Sequence, residues 1–186
     1  MAQRGIREFD GKRMLAAHWS TYFGQLPAYP GQVVLVAPDT DLDALPKEHP
    51  WLTMQKLVIK PDQLFGKRGK HGLIKVADTY DDAKRWIEER LNREVTIGKV
   101  TDKLTLFLIE PYVPHEGEYY VAIKSDRDGD TIYFSNHGGV DIEEVWDTVV
   151  EIHVGVAEDI NQIDIESKLP TDTPVDKRKL FADFVR

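Results

Sequence analysis

A basic, glycine-rich segment that could bind an anion lies between two short apolar runs, at residues 57–76. Lys60 ends the first run, and glycines and cations share the loop that follows it: Gly66, Lys67, Arg68, Gly69, Lys70, His71 and Gly72. Backbone N–H groups at glycines, together with clustered cations, bind polyanions such as a nucleoside triphosphate. The spacing matches neither a Walker A loop nor GxGxxG, so a solvated lysine on a basic surface hairpin is the alternative interpretation.

The segment FLIEPYVPHEGE is a second candidate. Its apolar run ends at Glu110, and Pro111 and Pro114 then stiffen the chain and remove two backbone donors. The backbone groups left at Glu110 and Val113 therefore have a fixed geometry that suits hydrogen bonds to the edge of an adenine. Glu118 could accept hydrogen bonds from ribose hydroxyls. A proline-bounded loop with a solvated glutamate is the alternative.

A third candidate, NHGGVDIEE, begins at Asn136. Its paired glycines allow a positive-φ turn or a close backbone approach. The acids Asp141, Glu143 and Glu144 could form a hydrogen-bonding site or a metal site, but a tight turn that leads into a short helix is favoured. The six histidines lack the spacing of transition-metal ligands, so we expect no metal site in this chain.

The composition excludes several classes of function. The net charge of −8 over 186 residues argues against a protein that binds nucleic acid over its whole surface. Cysteine is absent, which excludes disulfides, thiolate metal sites and cysteine nucleophiles and fits a cytoplasmic location. The N-terminal region lacks the apolar core of a signal peptide, and no apolar run reaches the roughly 18 residues of a membrane span. We therefore expect neither a nucleic-acid nor a membrane partner.

The elements that must position these residues alternate between helical and strand patterns. Apolar residues at helical spacing predict helices at 10–23 and 79–91, and a proline at 174 opens a last helix. Residues 57–60 and 73–76 should pair as antiparallel strands around the glycine loop, and the apolar run 105–110 should be a central strand. Further strands are predicted at 33–37 and 149–154, and an Asp-Gly turn predicts a hairpin that joins 119–124 to 131–134. The chain is therefore predicted to be α/β or α+β.

Four segments, taken in order, resemble a known family: REFDGKRML, KPDQLFGKRGKHGL, FLIEPYVPHEGEYYVAI and SNHGGVDIEEVW. They resemble the ATP-grasp part of ATP citrate lyase and, more distantly, the β subunit of succinyl-CoA synthetase. The resemblance covers essentially the whole chain. It implies an incomplete ATP-grasp fold of class α/β (α+β), with two mixed-sheet lobes and flanking helices. Residues 31–114 would form the lobe that carries the phosphate loop and adenine hinge, and residues 1–30 and 115–186 would form part of the outer lobe.

The resemblance also implies a role for each candidate residue. Lys60 should contact the α- and β-phosphates of ATP, and Arg68 and Gly69 should lie on the mobile loop that covers the phosphates. The adenine hinge should be formed mostly by backbone groups of Glu110, Pro111 and Val113. Glu118 should hold the ribose.

The family reaction converts citrate, ATP and CoA into acetyl-CoA, oxaloacetate, ADP and phosphate. The family's Mg²⁺-binding segment, which reads like EMNP, and its phosphorylated histidine have no counterpart before Arg186. We therefore expect no catalytic residue here, Mg²⁺ held by residues outside the chain, and a fragment or split subunit that is inactive alone. Its partners would be ATP or ADP and the CoA- and citrate-binding remainder of an oligomeric enzyme. The alternatives are a subunit of citryl-CoA or succinyl-CoA synthetase, or a non-catalytic nucleotide-binding or assembly module.

Overall fold

The chain divides into two units, residues 1–22 with 28–114 and residues 23–27 with 115–186. The structure is a computed structural model that describes residues 5–24, 26, 29–64, 68–139, 142 and 145–186. The N-terminal helix groups with residues 28–114, because its charged side chains pair with residues of that unit. The assignment of the units to ATP-grasp lobes stays a prediction.

Helices and strands of both units follow one another along the described part of the chain. They are α1 (Glu8–Tyr22), β1 (Val34–Val36), α2 (Leu45–Glu48), β2 (Leu57–Pro61), β3 (Lys75–Ala77), α3 (Tyr80–Glu88), β4 (Glu94–Ile97), β5 (Val100–Lys103), β6 (Phe107–Pro111), β7 (Tyr120–Ser125), β8 (Gly129–Ser135), β9 (Val150–Gly155), α4 (Ile165–Lys168) and α5 (Val175–Val185). The α+β class predicted from the sequence is confirmed. Strand pairs in the described residues are antiparallel, which refines the expected mixed sheets.

The first unit is built on a four-stranded sheet with the order β1-β6-β2-β3. β6 is a central strand, as its continuous apolar run predicts, and Phe107, Leu108 and Ile109 are fully buried in it. β2 alternates: Leu57 and Ile59 lie in the core, whereas Lys60 lies on the partly exposed opposite face. The two strands that flank the glycine loop, β2 and β3, pair antiparallel as predicted. The sheet thus delivers Lys60 to the start of the loop.

α3 covers the core of this sheet. The Thr79 side chain accepts a hydrogen bond from the Asp82 backbone N–H and caps the helix. Ala83, Trp86 and Ile87 are buried, and the Trp86 ring meets Phe107 edge-on at 5.9 Å. α1 differs, because none of its side chains is fully buried.

The second unit is a three-stranded sheet, β7-β8-β9, packed against α4 and α5. The predicted β7–β8 hairpin is confirmed, with Ser125 opposite Asp130 at its end. Gly129 has a φ of +146° and lies so close to β9 that a Cβ there would collide with the Val154 carbonyl oxygen. Glycine is therefore required at this turn.

The sequence did not predict the β4–β5 hairpin. Only Val95 and Ile97 of β4 pack against the core, and every residue of β5 is exposed, so the apolar alternation is too short to mark a pair of strands. Among the described helices, none has both the length and the apolar composition needed to cross a bilayer.

Candidate functional site

Five charged side chains meet where β2 and β6 end beside the first turns of α1. We call them the charged cluster: Glu8, Lys12, Lys60, Arg68 and Glu110. Their side chains are between 15% and 23% exposed, so each is mostly removed from water. Charges at this depth are screened less than surface ion pairs, and each needs a partner.

The sheet register explains why Lys60 meets Glu110. Glu110 lies opposite Val58, and Lys60 lies opposite Leu108, so the two charged residues are diagonal neighbours on one face. Lys60 Nζ lies 2.7 Å from Glu110 Oε1 and 2.6 Å from Glu8 Oε1. The sequence assigned Glu110 a backbone role, and the structure adds this ion pair of its side chain.

Lys12 closes the cluster into a ring. Its Nζ lies 3.0 Å from Glu8 Oε1, one helical turn away, and it also donates to Glu110 Oε2. Glu8, Lys60, Glu110 and Lys12 therefore alternate in sign around a closed circuit. Neither Glu8 nor Lys12 was singled out by sequence reasoning, although their spacing of four residues on one helix is a recognisable signal.

Arg68 adds a third cation from within the glycine loop. Its Nη2 lies 2.7 Å from Glu8 Oε2, and its Nη1 donates to the Pro61 carbonyl oxygen at 2.7 Å. The cluster thus contains three cations and two carboxylates and carries one excess positive charge. One carboxylate, that of Glu8, bridges the two cations that the sequence predicts to bind phosphates.

The described part of the glycine loop is a compact turn. Arg68 O accepts from His71 N at 3.3 Å and from Leu73 N at 3.0 Å, and Gly69 O accepts from Gly72 N at 3.1 Å. Gly72 has a φ of +64°, which ends the turn before β3. Gly66 and Lys67, also candidates, lie outside the described residues.

Asp62 anchors the start of α1 beside the cluster and was missed by sequence reasoning. Its Oδ1 accepts a hydrogen bond of 3.2 Å from the Phe9 backbone N–H, in the first turn of α1. This contact satisfies one of the amides that a helix N-terminus leaves without a partner in the helix. Asp62 is buried, and burial raises the pKa of its carboxyl above the ordinary value, although the Phe9 N–H opposes the shift.

Burial and the neighbouring cations act in opposite directions on Glu8. Burial alone would raise the pKa of its carboxyl, but Lys60 and then Lys12 outweigh burial and lower the pKa to about 2. Burial similarly opposes the ammonium form of Lys12, yet Glu110 and Glu8 raise its pKa above the ordinary value. Both groups therefore stay ionised at neutral pH.

Ionised Glu8 should stabilise the folded chain. Its folded pKa of about 2 lies below the ordinary value of 4.5, so its contribution is present above pH 4.5 and disappears as the pH falls to 2. We expect Glu8→Gln to lower the free energy of unfolding at pH 7 by up to about 3 kcal/mol. Urea titrations between pH 7 and 2 should show this deficit shrinking towards zero.

The control for this prediction is Asp10→Asn, which neutralises an exposed carboxylate in the same turn of α1. Its effect should be within about 0.5 kcal/mol. A deficit of Glu8→Gln that keeps its size down to pH 2 would contradict the prediction.

The predicted hinge comprises the last residues of β6 and the residues just after the strand. Glu110 and Pro111 end the strand, and the Tyr112 backbone N–H donates to the Lys56 carbonyl oxygen at 2.8 Å, which continues the pairing beyond the strand. Val113 is 66% exposed. The structure thus places these residues at the end of the same strand that supplies Glu110 to the cluster.

Glu118 belongs to the second unit, where the structure joins it to the third candidate segment. Its Oε1 lies 3.0 Å from His115 Nε2, and its carbonyl oxygen accepts from Gly138 N at 2.7 Å. A Cβ at Gly139 would collide with the Glu118 carboxylate, and one at Gly138 would lie 2.6 Å from the Tyr119 carbonyl. Gly138 and Gly139 therefore leave the space that the backbone and carboxylate of Glu118 occupy. The spacing of these residues in the sequence does not indicate this contact.

The acids proposed as an alternative metal site, Asp141, Glu143 and Glu144, lie outside the described residues. Within the described part of the chain, no three His, Asp or Glu side chains group so that they could hold a metal ion.

Comparisons with known proteins identify relatives over the whole chain. The family model for the ATP-citrate synthase ATP-grasp domain matches residues 2–186. The chain is 42% identical over 187 residues to ATP-citrate synthase from Bos taurus, covering all of this chain and 17% of that protein. It is 39% identical over 186 residues to ATP-citrate synthase alpha chain protein 2 from Arabidopsis thaliana, covering 43% of that protein.

A solved structure also matches the chain over nearly its whole length. ATP citrate lyase from Methanothrix soehngenii, determined in complex with citrate and coenzyme A, superposes with a TM-score of 0.87 at 47% identity. The match covers 99% of this chain and 42% of that chain. The chain therefore spans less than half the length of each of these relatives.

Proposed function

Because the chain belongs to the family of ATP-citrate synthase ATP-grasp domains, we propose that Lys60 and Arg68 of its charged cluster bind the phosphates of ATP. The observation that carries this proposal is the convergence of Lys60 and Arg68 on one carboxylate, at 2.6 and 2.7 Å. A cation that precedes a glycine loop and a cation within that loop, held this close together, form a site for an anion larger and more highly charged than a carboxylate. The excess positive charge of the cluster favours the same ligand.

The other candidate residues would hold the rest of the nucleotide. Backbone groups of Glu110, Pro111 and Val113 would meet the adenine edge, Gly69 would let the loop approach the phosphates, and Glu118 would accept from the ribose hydroxyls. Phosphoryl transfer depends mainly on positioning and on neutralising charge. Lys60 and Arg68 would supply both for the phosphates. The Mg²⁺ that accompanies ATP would be held by residues outside this chain.

We propose further that the chain is the ATP-binding part of an ATP citrate lyase. That enzyme would convert citrate, ATP and CoA into acetyl-CoA, oxaloacetate, ADP and phosphate in an oligomer with CoA- and citrate-binding parts. Support comes from the names of the relatives and from the citrate and coenzyme A bound to the archaeal one. The cysteine-free sequence suits a cytoplasmic enzyme.

The test is ADP release with citrate, CoA and Mg²⁺, first for this chain alone and then with the remaining parts of a relative supplied. We expect turnover only in the second case, with acetyl-CoA and oxaloacetate as products. Accumulation of citryl-CoA would indicate a citryl-CoA synthetase instead. Citrate-dependent turnover by the chain alone would contradict the expectation that the chain is inactive without the other parts of the enzyme. Absence of ATP binding in either case would overturn the proposed function.

The hinge proposal predicts that backbone chemistry at Val113 matters more than its side chain. Val113→Pro removes the N–H that would meet adenine, whereas Val113→Ala retains it. We expect Val113→Pro to weaken ATP binding about tenfold, the equivalent of one hydrogen bond, and Val113→Ala to change it less than about twofold. Calorimetry measures both, with circular dichroism as the check on folding. Equal effects of the two variants would argue against a backbone role.

A further inference from the structure

We propose that the Glu8 carboxylate occupies the phosphate position of this site in the nucleotide-free protein, and that bound phosphates displace it. The proposal rests on the proposed function, since it concerns the same cations. Glu8 divides its two oxygens between Lys60 and Arg68, at 2.6 and 2.7 Å. Phosphate oxygens make charge-assisted hydrogen bonds of the same length to the same cations. Glu8 and a phosphate group therefore compete for one place.

The donors of Lys60 make this competition direct. An ammonium group has three N–H donors, and Glu8 and Glu110 engage two of those on Lys60. A phosphate that takes more than one contact from Lys60 must release one of the carboxylates. Arg68 likewise directs Nη2 at Glu8, while its Nη1 is held by the Pro61 carbonyl.

Glu8 is the carboxylate that can leave at the lower cost. Glu110 lies on β6, a central strand paired on both sides and buried along most of its length. Glu8 lies on α1, which has no fully buried side chain and leaves Met14, Leu15 and Tyr22 between 37% and 68% exposed. When Glu8 leaves, Lys12 still pairs with Glu110, so that carboxylate keeps a cation.

The charge balance favours the exchange. With Glu8 in place, the cluster has one excess positive charge, and without it the excess is two. A di- or triphosphate carries several negative charges and therefore gains more from the cations than one carboxylate does. Glu8 thus keeps the cations paired until a nucleotide arrives, and it lowers the apparent affinity for every phosphate ligand.

The test is calorimetry of the whole chain with ATP, ADP, inorganic tripolyphosphate and adenosine. Removing the competitor in Glu8→Gln should tighten binding of the three phosphate ligands about fivefold, the effect of one partly buried ion pair, and leave adenosine unchanged. Asp10→Asn removes the same charge from the same helix turn and should change each affinity less than twofold. This comparison separates displacement of Glu8 from a general change in net charge.

Each result of the calorimetry either supports or overturns the displacement of Glu8 by phosphate. Unchanged or weaker phosphate binding by Glu8→Gln, with the wild type binding normally, would overturn the proposal and make Glu8 a residue that positions the cations. Failure of the wild type to bind ATP or tripolyphosphate would overturn the proposed function as well. If Glu8→Gln folds poorly, displacement can be tested on the wild type. The ¹³C signal of the Glu8 carboxyl should shift when the wild type is saturated with tripolyphosphate. A signal that stays in place would equally overturn displacement.

Discussion

Replacing Lys60 by alanine is expected to weaken ATP binding about ten- to a hundredfold. The variant removes a charge-assisted phosphate contact of about 1.5–3 kcal/mol from a site that is mostly shielded from water. Isothermal calorimetry of wild type and variant measures the loss directly. An affinity equal to that of the wild type would remove Lys60 from the site.

The charged cluster supplies a matched control. Lys12 shares both carboxylate partners of Lys60 but lies on α1, so Lys12→Ala removes the same charge without the proposed phosphate contact. Its effect on ATP affinity should be below about threefold.

Lys60→Ala also leaves Glu8 and Glu110 with fewer cations and should lower stability. Adding Glu8→Gln restores the balance of charge, so the double variant should regain stability while its ATP affinity, even with the gain of about fivefold expected from Glu8→Gln, stays below that of the wild type. Recovery of the full wild-type affinity in the double variant would show that Lys60 acts only by keeping the cluster folded.

Gly129→Ala is expected to have the largest effect on stability, about 3 kcal/mol or more, because two costs add. A side chain is strained at a φ of +146°, and its Cβ would strike the Val154 carbonyl oxygen and approach Gly155 Cα to 2.9 Å. Both obstacles are backbone atoms of β9, which cannot swing aside as a side chain can. Urea unfolding followed by near-ultraviolet circular dichroism measures the loss.

Gly117→Ala is the control in the same unit. A Cβ at Gly117 meets no atom within 4 Å, and its backbone is not in the positive-φ region. Its effect should be within about 0.5 kcal/mol. If Gly129→Ala were as stable as Gly117→Ala, β9 could not lie as close to the hairpin turn as the structure has it.

Local signals in the sequence predicted the sheet elements well. The apolar run of β6 predicted a central strand because a strand buried on both faces has no polar side. The Asp-Gly pair that ends at Gly129 predicted the hairpin between β7 and β8. The β4–β5 hairpin escaped prediction because β4 places only Val95 and Ile97 against the core and β5 is exposed throughout. Burial produces the pattern that sequence reasoning detects, so short elements with little burial leave little trace.

The candidate site was predictable only in part, for a different reason. Lys60 and Arg68 lie in one short motif, but Glu8 reaches them across more than 50 residues and Glu110 reaches Lys12 across 98. Pairings at this separation depend on the tertiary fold and leave no periodic signal. The contact between Glu118 and the Gly138–Gly139 pair is of the same kind.

The contacts that hold α1 determine how this helix responds to the ionic strength of the solution. Residues of β6 are fixed by apolar burial, which salt does not weaken. α1 is held by the ion pairs of Glu8 and Lys12, by Asp62 and by the packing of Trp19 on Tyr29. The ion pairs lie mostly out of water, so salt screens them less than it screens exposed pairs. Because α1 has no fully buried side chain, we expect it to open at a lower free energy than the sheet beneath it, and we expect added salt to lower that free energy only slightly.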